Sequence, residues 1–407
     1  MQLKSLINPI DGPSIKMLIP ILIPILRNTI FLRRHRADIS NYTAIDGLAI
    51  FDIIVIAYCA YWLYKNQNQI PWKHIWYGTV KCWFGYYMFA LVTILWRIRG
   101  SSALYICYRA GTMLILSAYI YMIFTKFRTP LNAFKGLLNY CMALTLLLFI
   151  GNVRNGTLHT NTYSVCAAVM ACLSLSAYRR NLLSSEEVKP YLFGGLFFLL
   201  IGTSSASNVA FLCGLLFIYS FKHNRFHLSF FIVTLFSLFA AYYFGKRIFI
   251  KILFPNKSIQ NVTSFHGRLY LWTGYIKIWL KRPFIGWGFA VGERAGKSFD
   301  FMYALSAHNG YLSILINTGL LGLAFWLVLF KRLLKSLMLQ IIFDSPYSIA
   351  VASAFLVIAV NNNSVPIIGS TWGPLSTLAF CLLAFWNLWC ENAPKGFYQL
   401  NNEQQSC

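Results

Sequence analysis

The sequence predicts an all-α, polytopic transmembrane bundle of about twelve spans with one long external loop, and three observations carry that prediction. First, 58% of the 407 residues are apolar and only 11% are charged, where a soluble domain carries roughly 25% charged residues; mean hydropathy is +0.58. Second, apolar stretches recur along the whole chain, most of them close to the roughly 20 residues a bilayer crossing needs. Third, a single long polar stretch, 246–308, interrupts them.

The candidate spans are 14–31, 44–64, 76–97, 103–124, 133–151, 160–178, 190–203, 206–221, 226–245, 309–330, 346–363 and 371–390. Pro20, Pro24 and Arg27 weaken the first, which suits an interfacial segment as well as a span. It runs into Arg33-Arg34-His35-Arg36 without a small-residue cleavage site, so no removable signal peptide is read there. The stretch 190–221 is too long for one span and reads as a helical hairpin whose polar tip is Gly202-Thr203-Ser204-Ser205-Ala206-Ser207-Asn208. Residues 1–407 are thus one integral membrane domain, with a long external loop at 246–308 and a polar tail at 391–407.

Lys and Arg outnumber Asp and Glu 35 to 11, a net charge of +24. The cations lie singly or in short clusters between apolar runs, which excludes a nucleic-acid-binding domain and leaves orientation and anionic partners. Lys126, Arg128 and Lys135, then Arg179, Arg180 and Lys189, then Lys222 and Arg225, then Lys331, Arg332 and Lys335 all fall on one side, which is therefore cytoplasmic. Arg33, Arg34, Arg36, Arg97 and Arg99 break the rule and leave the first hundred residues unoriented. The tip at 203–208, the loop 246–308 and the segment 361–371 then face outward, where three segments can converge. The ten cysteines sit mostly inside apolar runs, without C-x-x-C or any metal-ligand spacing.

Within the long loop, Leu269, Leu271, Trp272, Tyr275, Ile276 and Trp279 recur at helical spacing from Gly267 to Leu280, as in a helix on the membrane surface. Pro283 ends it and Gly286-Trp287-Gly288 reads as a turn. The loop is strongly cationic, with Arg247, Lys251, Lys257, Arg268, Lys277, Lys281, Arg282, Arg294 and Lys297 against Glu293 and Asp300. Guanidinium groups bind phosphate oxygens bidentately and stabilise a departing pyrophosphate; contact with anionic lipid explains about half of such charges equally well.

Where the loop enters the next span, Ala307-His308-Asn309-Gly310-Tyr311-Leu312 presents a histidine. An imidazole near its ordinary pKa removes a proton from a hydroxyl at neutral pH; the same position suits a residue that caps the helix or lies in the interface. Gly319 and Gly322 read as helix-packing positions. Gly292-Glu293-Arg294-Ala295-Gly296-Lys297-Ser298 imitates a phosphate-binding loop but has one residue too few between its glycines and no strand before it. Asn261-Val262-Thr263 is a glycosylation pattern that arises often by chance. Asp46 and Asp52 in the second span are the best argument for a transporter, although six residues apart they point to different sides of one helix.

The order Arg268-x-x-x-Trp272, Lys281-Arg282-Pro283-Phe284-Ile285-Gly286-Trp287-Gly288, His308-Asn309-Gly310-Tyr311-Leu312 and Gly319-Leu320-Leu321-Gly322 resembles the O-antigen ligase/polymerase superfamily over 268–323. The resemblance implies a multi-pass bacterial inner-membrane glycosyltransferase with its active site facing the periplasm, so that the 246–308 loop is periplasmic and contains short helices. It implies neither metal nor cofactor. The partners it implies are an undecaprenyl-pyrophosphate-linked glycan donor, a glycan acceptor and membrane lipids, and it admits a chain-length regulator and other polysaccharide-assembly proteins. By position, His308 would be catalytic and Arg268, with Arg282 and Lys281, would bind the pyrophosphate, supported by Asn309, Tyr311, Ser205 and Ser207. Ligases typically carry an arginine after Ser or Thr at the hairpin tip, where this chain has Ala206; the Ser-rich tip resembles the polysaccharide polymerase branch. O-antigen ligase and a flippase of lipid-linked glycan are the alternatives.

Overall fold

The computed structural model describes Leu22 and residues 47–98, 101–155, 160–202, 204–222, 225–226, 268–299, 306–342 and 345–391. Its helices are α1 (Gly47–Lys65), α2 (Trp72–Tyr77), α3 (Val80–Val92), α4 (Ala103–Phe124), α5 (Pro130–Asn155), α6 (Thr160–Arg179), α7 (Ser185–Gly202), α8 (Ser205–Tyr219), α9 (Arg268–Leu280), α10 (Gly310–Ile342), α11 (Ser348–Asn361) and α12 (Pro374–Trp386). Among the described residues the only strands are a two-residue antiparallel pair, β1 (Phe221–Lys222) with β2 (Arg225–Phe226). Among the described residues three helices are long and apolar enough to cross a bilayer, Ala103–Phe124, Pro130–Val153 and Gly310–Ile342; Val80–Trp96, Ser205–Tyr219 and Ser348–Asn361 are apolar but shorter.

Local chemistry starts these helices where the sequence places them. Ser102 and Ser204 accept from the N–H groups of Tyr105 and Ser207 at the heads of α4 and α8, and Ser184 with Glu187 forms a reciprocal capping box at α7. Pro130 and Pro374 occupy first helical positions, where their missing N–H costs nothing. The hairpin read at 190–221 is α7 and α8, and the surface helix read at 267–280 is α9. The stretch 14–31 apart from Leu22, the stretch 227–245, the loop parts 246–267 and 300–305 and the tail 392–407 lie outside the described residues.

Two spans differ from expectation. The stretch 76–97 is divided between α2 and α3, because Glu391 accepts from both the backbone N–H (2.9 Å) and the hydroxyl (2.6 Å) of Thr79, which holds the chain in a turn between them. The stretch expected at 309–330 continues as α10 to Ile342 and carries a break.

Helix α6 runs through the middle of the bundle, packed against α5, α7, α8 and α11. Every residue from Val165 to Leu173 is fully buried, and most are small, so neighbouring backbones approach closely. A Cβ on Gly195 of α7 would lie 3.0 Å from that of Ala171.

The break in α10 shapes everything near the candidate site. Gly319 has φ 67 and ψ −166, a conformation in effect reserved for glycine. An unbroken helix would pair the N–H groups of Leu320 and Leu321 with the carbonyls of Ile316 and Asn317. Instead Leu320 and Leu321 donate to Pro283 and Phe284 (2.8 and 3.1 Å), while the carbonyls of Ile316 and Asn317 accept from Trp287 and Gly288 (2.8 and 2.9 Å). All four orphaned groups are satisfied by the turn that follows α9. Gly319 is therefore the position that lets this turn lie on the backbone of α10, in place of the helix-packing role expected of it. Gly322 does serve close packing, facing Thr318 and Tyr86.

A side chain at position 319 would meet the Phe284 backbone, on top of about 1–3 kcal/mol for the strained conformation. Gly319→Ala is expected to lower the thermal unfolding temperature of the detergent-solubilised protein markedly. Gly111→Ala, with open space around its Cβ and a helical gain of about 1 kcal/mol, is expected to leave it unchanged or raise it.

Candidate functional site

Three chain segments meet where α10 begins. The Trp272 indole, one turn into α9, donates to the Ala307 carbonyl at 2.9 Å, and the Ala307 N–H donates to the Glu293 carboxylate at 3.3 Å. The N–H of Gly310 donates to the carbonyl of Asn362 at 2.6 Å. Asn362 Oδ1 in turn accepts from Ile367 and Ile368, both at 2.9 Å. Beside it, Asn361 Oδ1 accepts from Ser207 Oγ at 3.2 Å, and Ser207 lies 3.0 Å from Ser204, which donates to Asn161. The hairpin tip, the histidine segment and the segment after α11 thus converge as expected from the alternation of loops.

His308 is exposed and stands between these anchors with φ 48, in the left-handed region that side chains rarely adopt. Its N–H donates to Ser306 Oγ at 3.2 Å. It does not cap α10: Asn309 does, its Oδ1 accepting from Tyr311 and Leu312, both at 3.0 Å. Of the supporting residues, Asn309 is therefore a cap, Tyr311 donates to the Ala359 carbonyl at 3.0 Å, Ser207 is tied to Asn361, and Ser205 is buried at the start of α8.

The three cations expected to share one pyrophosphate do not lie together. Arg268 is the first residue of α9 and half-buried, one turn before Trp272, whose indole reaches the Ala307 carbonyl; burial pulls its guanidinium below the ordinary range. Lys281 and Arg282 follow the other end of α9, about 20 Å away along a 13-residue helix. Arg282 has a structural task there, donating to the Trp96 carbonyl at 2.9 Å and stacking 4.3 Å above the Trp287 ring. The cationic cluster looked continuous in sequence because a helix separates its members only in space.

Beside the histidine segment lies a cavity of about 430 Å³, with Tyr105, Glu293, Arg294, Ser306, Ser313 and Trp372 in its walls. Neither His308 nor Arg268 lines it; Ser306, whose hydroxyl accepts from the His308 N–H, does. The segment dismissed above as a false phosphate loop supplies Glu293 and Arg294: it is a 3-10 stretch, Gly292–Phe299, preceded by turns. Its start is fixed by Gly292 N–H on Asn317 Oδ1 at 2.9 Å and Phe289 N–H on Thr93 Oγ1 at 2.9 Å. The Arg294 guanidinium sits 4.9 Å over the Tyr105 ring, with that of Arg109 5.0 Å from the same ring. In the sequence Glu293 stands out only as one of two acids in a basic loop and as a member of the phosphate-loop imitation; an acid between two glycines in an aromatic-rich stretch is the available signal.

Burial pushes the Glu293 carboxyl above the ordinary carboxylate range, against the lowering effects of the Ser313 hydroxyl, the Ala307 N–H and Arg294. The folded protein then holds a proton there that the unfolded chain has released. Stability falls as pH rises from about 4.3 through the raised value. Glu293→Gln is expected to flatten this part of the unfolding-temperature profile against pH.

No curated protein matches the chain. Residues 190–327, about a third of the chain, match the family model described as O-antigen ligase. That stretch contains the hairpin tip, Arg268, the turn at 283–288, His308 and the break in α10, and its match agrees with the resemblance to the O-antigen ligase/polymerase superfamily without distinguishing the polymerase branch.

Proposed function

We propose that this protein is a glycosyltransferase of the bacterial inner membrane that polymerises undecaprenyl-pyrophosphate-linked oligosaccharide repeats on the periplasmic face. The observation that carries the reading is the placement of His308 within the family match, between Ala307, whose carbonyl is held by Trp272, and Gly310, whose N–H is held by Asn362, with Arg268 one turn before Trp272 on α9. In this scheme His308 takes the proton of an acceptor hydroxyl as its oxygen attacks the anomeric carbon of the donor sugar. The bond from that carbon to the pyrophosphate breaks, and Arg268 holds the departing anion with its guanidinium fork. Lys281 and Arg282 are too far along α9 to assist in the same contact. Metal plays no part in this scheme, which Glu293 and the other acids do not need for the proton transfer.

Orientation follows from charge. The ends of the helices away from His308 carry Lys135 paired with Glu187 at 2.7 Å, Arg179 donating to the Ile218 carbonyl at 2.8 Å, and the exposed Lys331 and Lys335, which argues for that end as cytoplasmic. We count about twelve spans when the apolar stretches outside the described residues are included. Cysteines introduced at Ser298 and Lys335, in a chain with Cys107 and Cys407 replaced, test this in intact cells: labelling at 298 and protection at 335 are expected, and the reverse pattern defeats the orientation.

The ligase reading is favoured by the description of the family model and disfavoured by Ala206 at the hairpin tip. Transport was read from the acids of the second span, of which Asp46 lies outside the described residues; Asp52 is buried and accepts from the Tyr108 hydroxyl at 2.8 Å, which gives it a structural partner. A deletion strain separates the three. Single repeats on the surface glycan are expected for a polymerase, polymer left on lipid carrier for a ligase, and repeats trapped at the cytoplasmic side for a flippase.

His308→Ala is expected to lower glycan product by about 10²–10⁴-fold with unchanged insertion and unfolding temperature. Arg268→Lys should impair turnover and Arg268→Ala should do so more, because charge without the fork is only part of the contact. Arg282→Ala should instead lower stability. Near-normal turnover by His308→Ala at normal expression defeats the mechanism.

A further inference from the structure

The cavity beside the histidine segment has walls suited to something other than a phosphate. Its volume of about 430 Å³ falls within the range of roughly 300–1,000 Å³ typical of small-molecule sites. The Trp372 indole N–H is buried and has no acceptor among the described residues, and an unmet buried donor is costly unless something else accepts from it. Glu293 adds a carboxyl, and Ser306 and Ser313 add hydroxyls. Tyr105, Phe289 and Trp372 add ring surface.

A polyanion would meet the Glu293 carboxyl. The Arg294 guanidinium, the cation in the wall, is already stacked on Tyr105. A pyranose matches these walls better: its hydroxyl edge offers both donors and acceptors, and its C–H faces lie against aromatic rings. Desolvation supports this by favouring the protonated carboxyl, which donates to one sugar hydroxyl and accepts from another.

We propose that this cavity is a carbohydrate subsite that holds a sugar residue of the glycan being joined, with Glu293 and Trp372 as its hydrogen-bonding partners. The inference rests on the transferase reading above. It gives the site two compartments, the anion contact at Arg268 and the sugar contact at Glu293, divided by Ala307. The Ala307 carbonyl is held from the α9 side by Trp272, and its N–H is held from the cavity side by Glu293. A sugar in the cavity therefore touches the residue that anchors the chain next to His308.

The test uses the purified full-length protein in detergent and, as probe, the repeat oligosaccharide released from the host's surface glycan and freed of lipid and pyrophosphate. Saturation-transfer NMR is expected to show saturable binding that persists in His308→Ala. Trp372→Phe, which keeps the ring and removes the N–H, should weaken binding several-fold and retain the wild-type unfolding profile; Glu293→Ala should weaken it likewise, measured at a temperature where circular dichroism shows that variant folded. Absence of saturable binding to wild type, equal binding by both cavity variants, or displacement of the sugar by inorganic pyrophosphate would overturn the proposal. A glycan profile unaltered in the deletion strain overturns the transferase reading itself, independently of whether the sugar binds.

Discussion

The exchange of backbone hydrogen bonds at Gly319 is the constraint on which the site depends. A helix in an apolar environment cannot leave N–H and C=O groups unpaired. Breaking α10 is tolerable because the turn 283–288 supplies four partners at the point of the break. The exchange fixes the direction in which α10 approaches its head at Gly310, and it fixes the end of α9 against the same helix. Trp96 adds a further clamp by donating to the Ile285 carbonyl at 2.9 Å. With both ends of the α9 segment held to α10, Arg268, Trp272 and Ala307 have little freedom in their mutual placement.

A second layer of rigidity comes from buried aromatic side chains beneath the turn. Tyr86 and Tyr87 of α3 donate to the carbonyls of Gly369 and Ser370 at 3.1 and 2.8 Å, and both rings pack edge-on against Phe289. Trp83 and Trp326 extend the cluster between α3 and α10. Each hydroxyl ties an otherwise apolar ring to one loop carbonyl. The cavity wall on the 365–376 side and the wall on the 289–294 side are thereby hung from the same two tyrosines.

Charge is distributed by task. Arg282 gives its guanidinium to a backbone carbonyl and an indole face, and Arg97 gives its own to the carbonyls of Ile94 and Ser101 at 2.9 and 3.0 Å. Arginines at the ends of helices can thus satisfy orphaned carbonyls as readily as they bind external anions. Both of these belong to clusters that stand out as ligand-binding or as violations of charge orientation when only the sequence is in view.

Composition and periodicity determined the helical class, the hairpin around residues 202–208, the surface helix beginning near Arg268 and the convergence of three loops at one end, because apolar run length and turn residues act locally along the chain. Tertiary structure alone decided which members of the basic loop share a site, since about 20 Å of helix separates Arg268 from Arg282 and no local signal carries distance. It also decided the role of Gly319: a glycine in an apolar run reads as a packing position, and only the arrival of a turn from some thirty residues earlier makes a break affordable. Glu293 belongs to the same class, for its burial, its bond to Ala307 and its place in the cavity wall depend on neighbours contributed by distant parts of the chain.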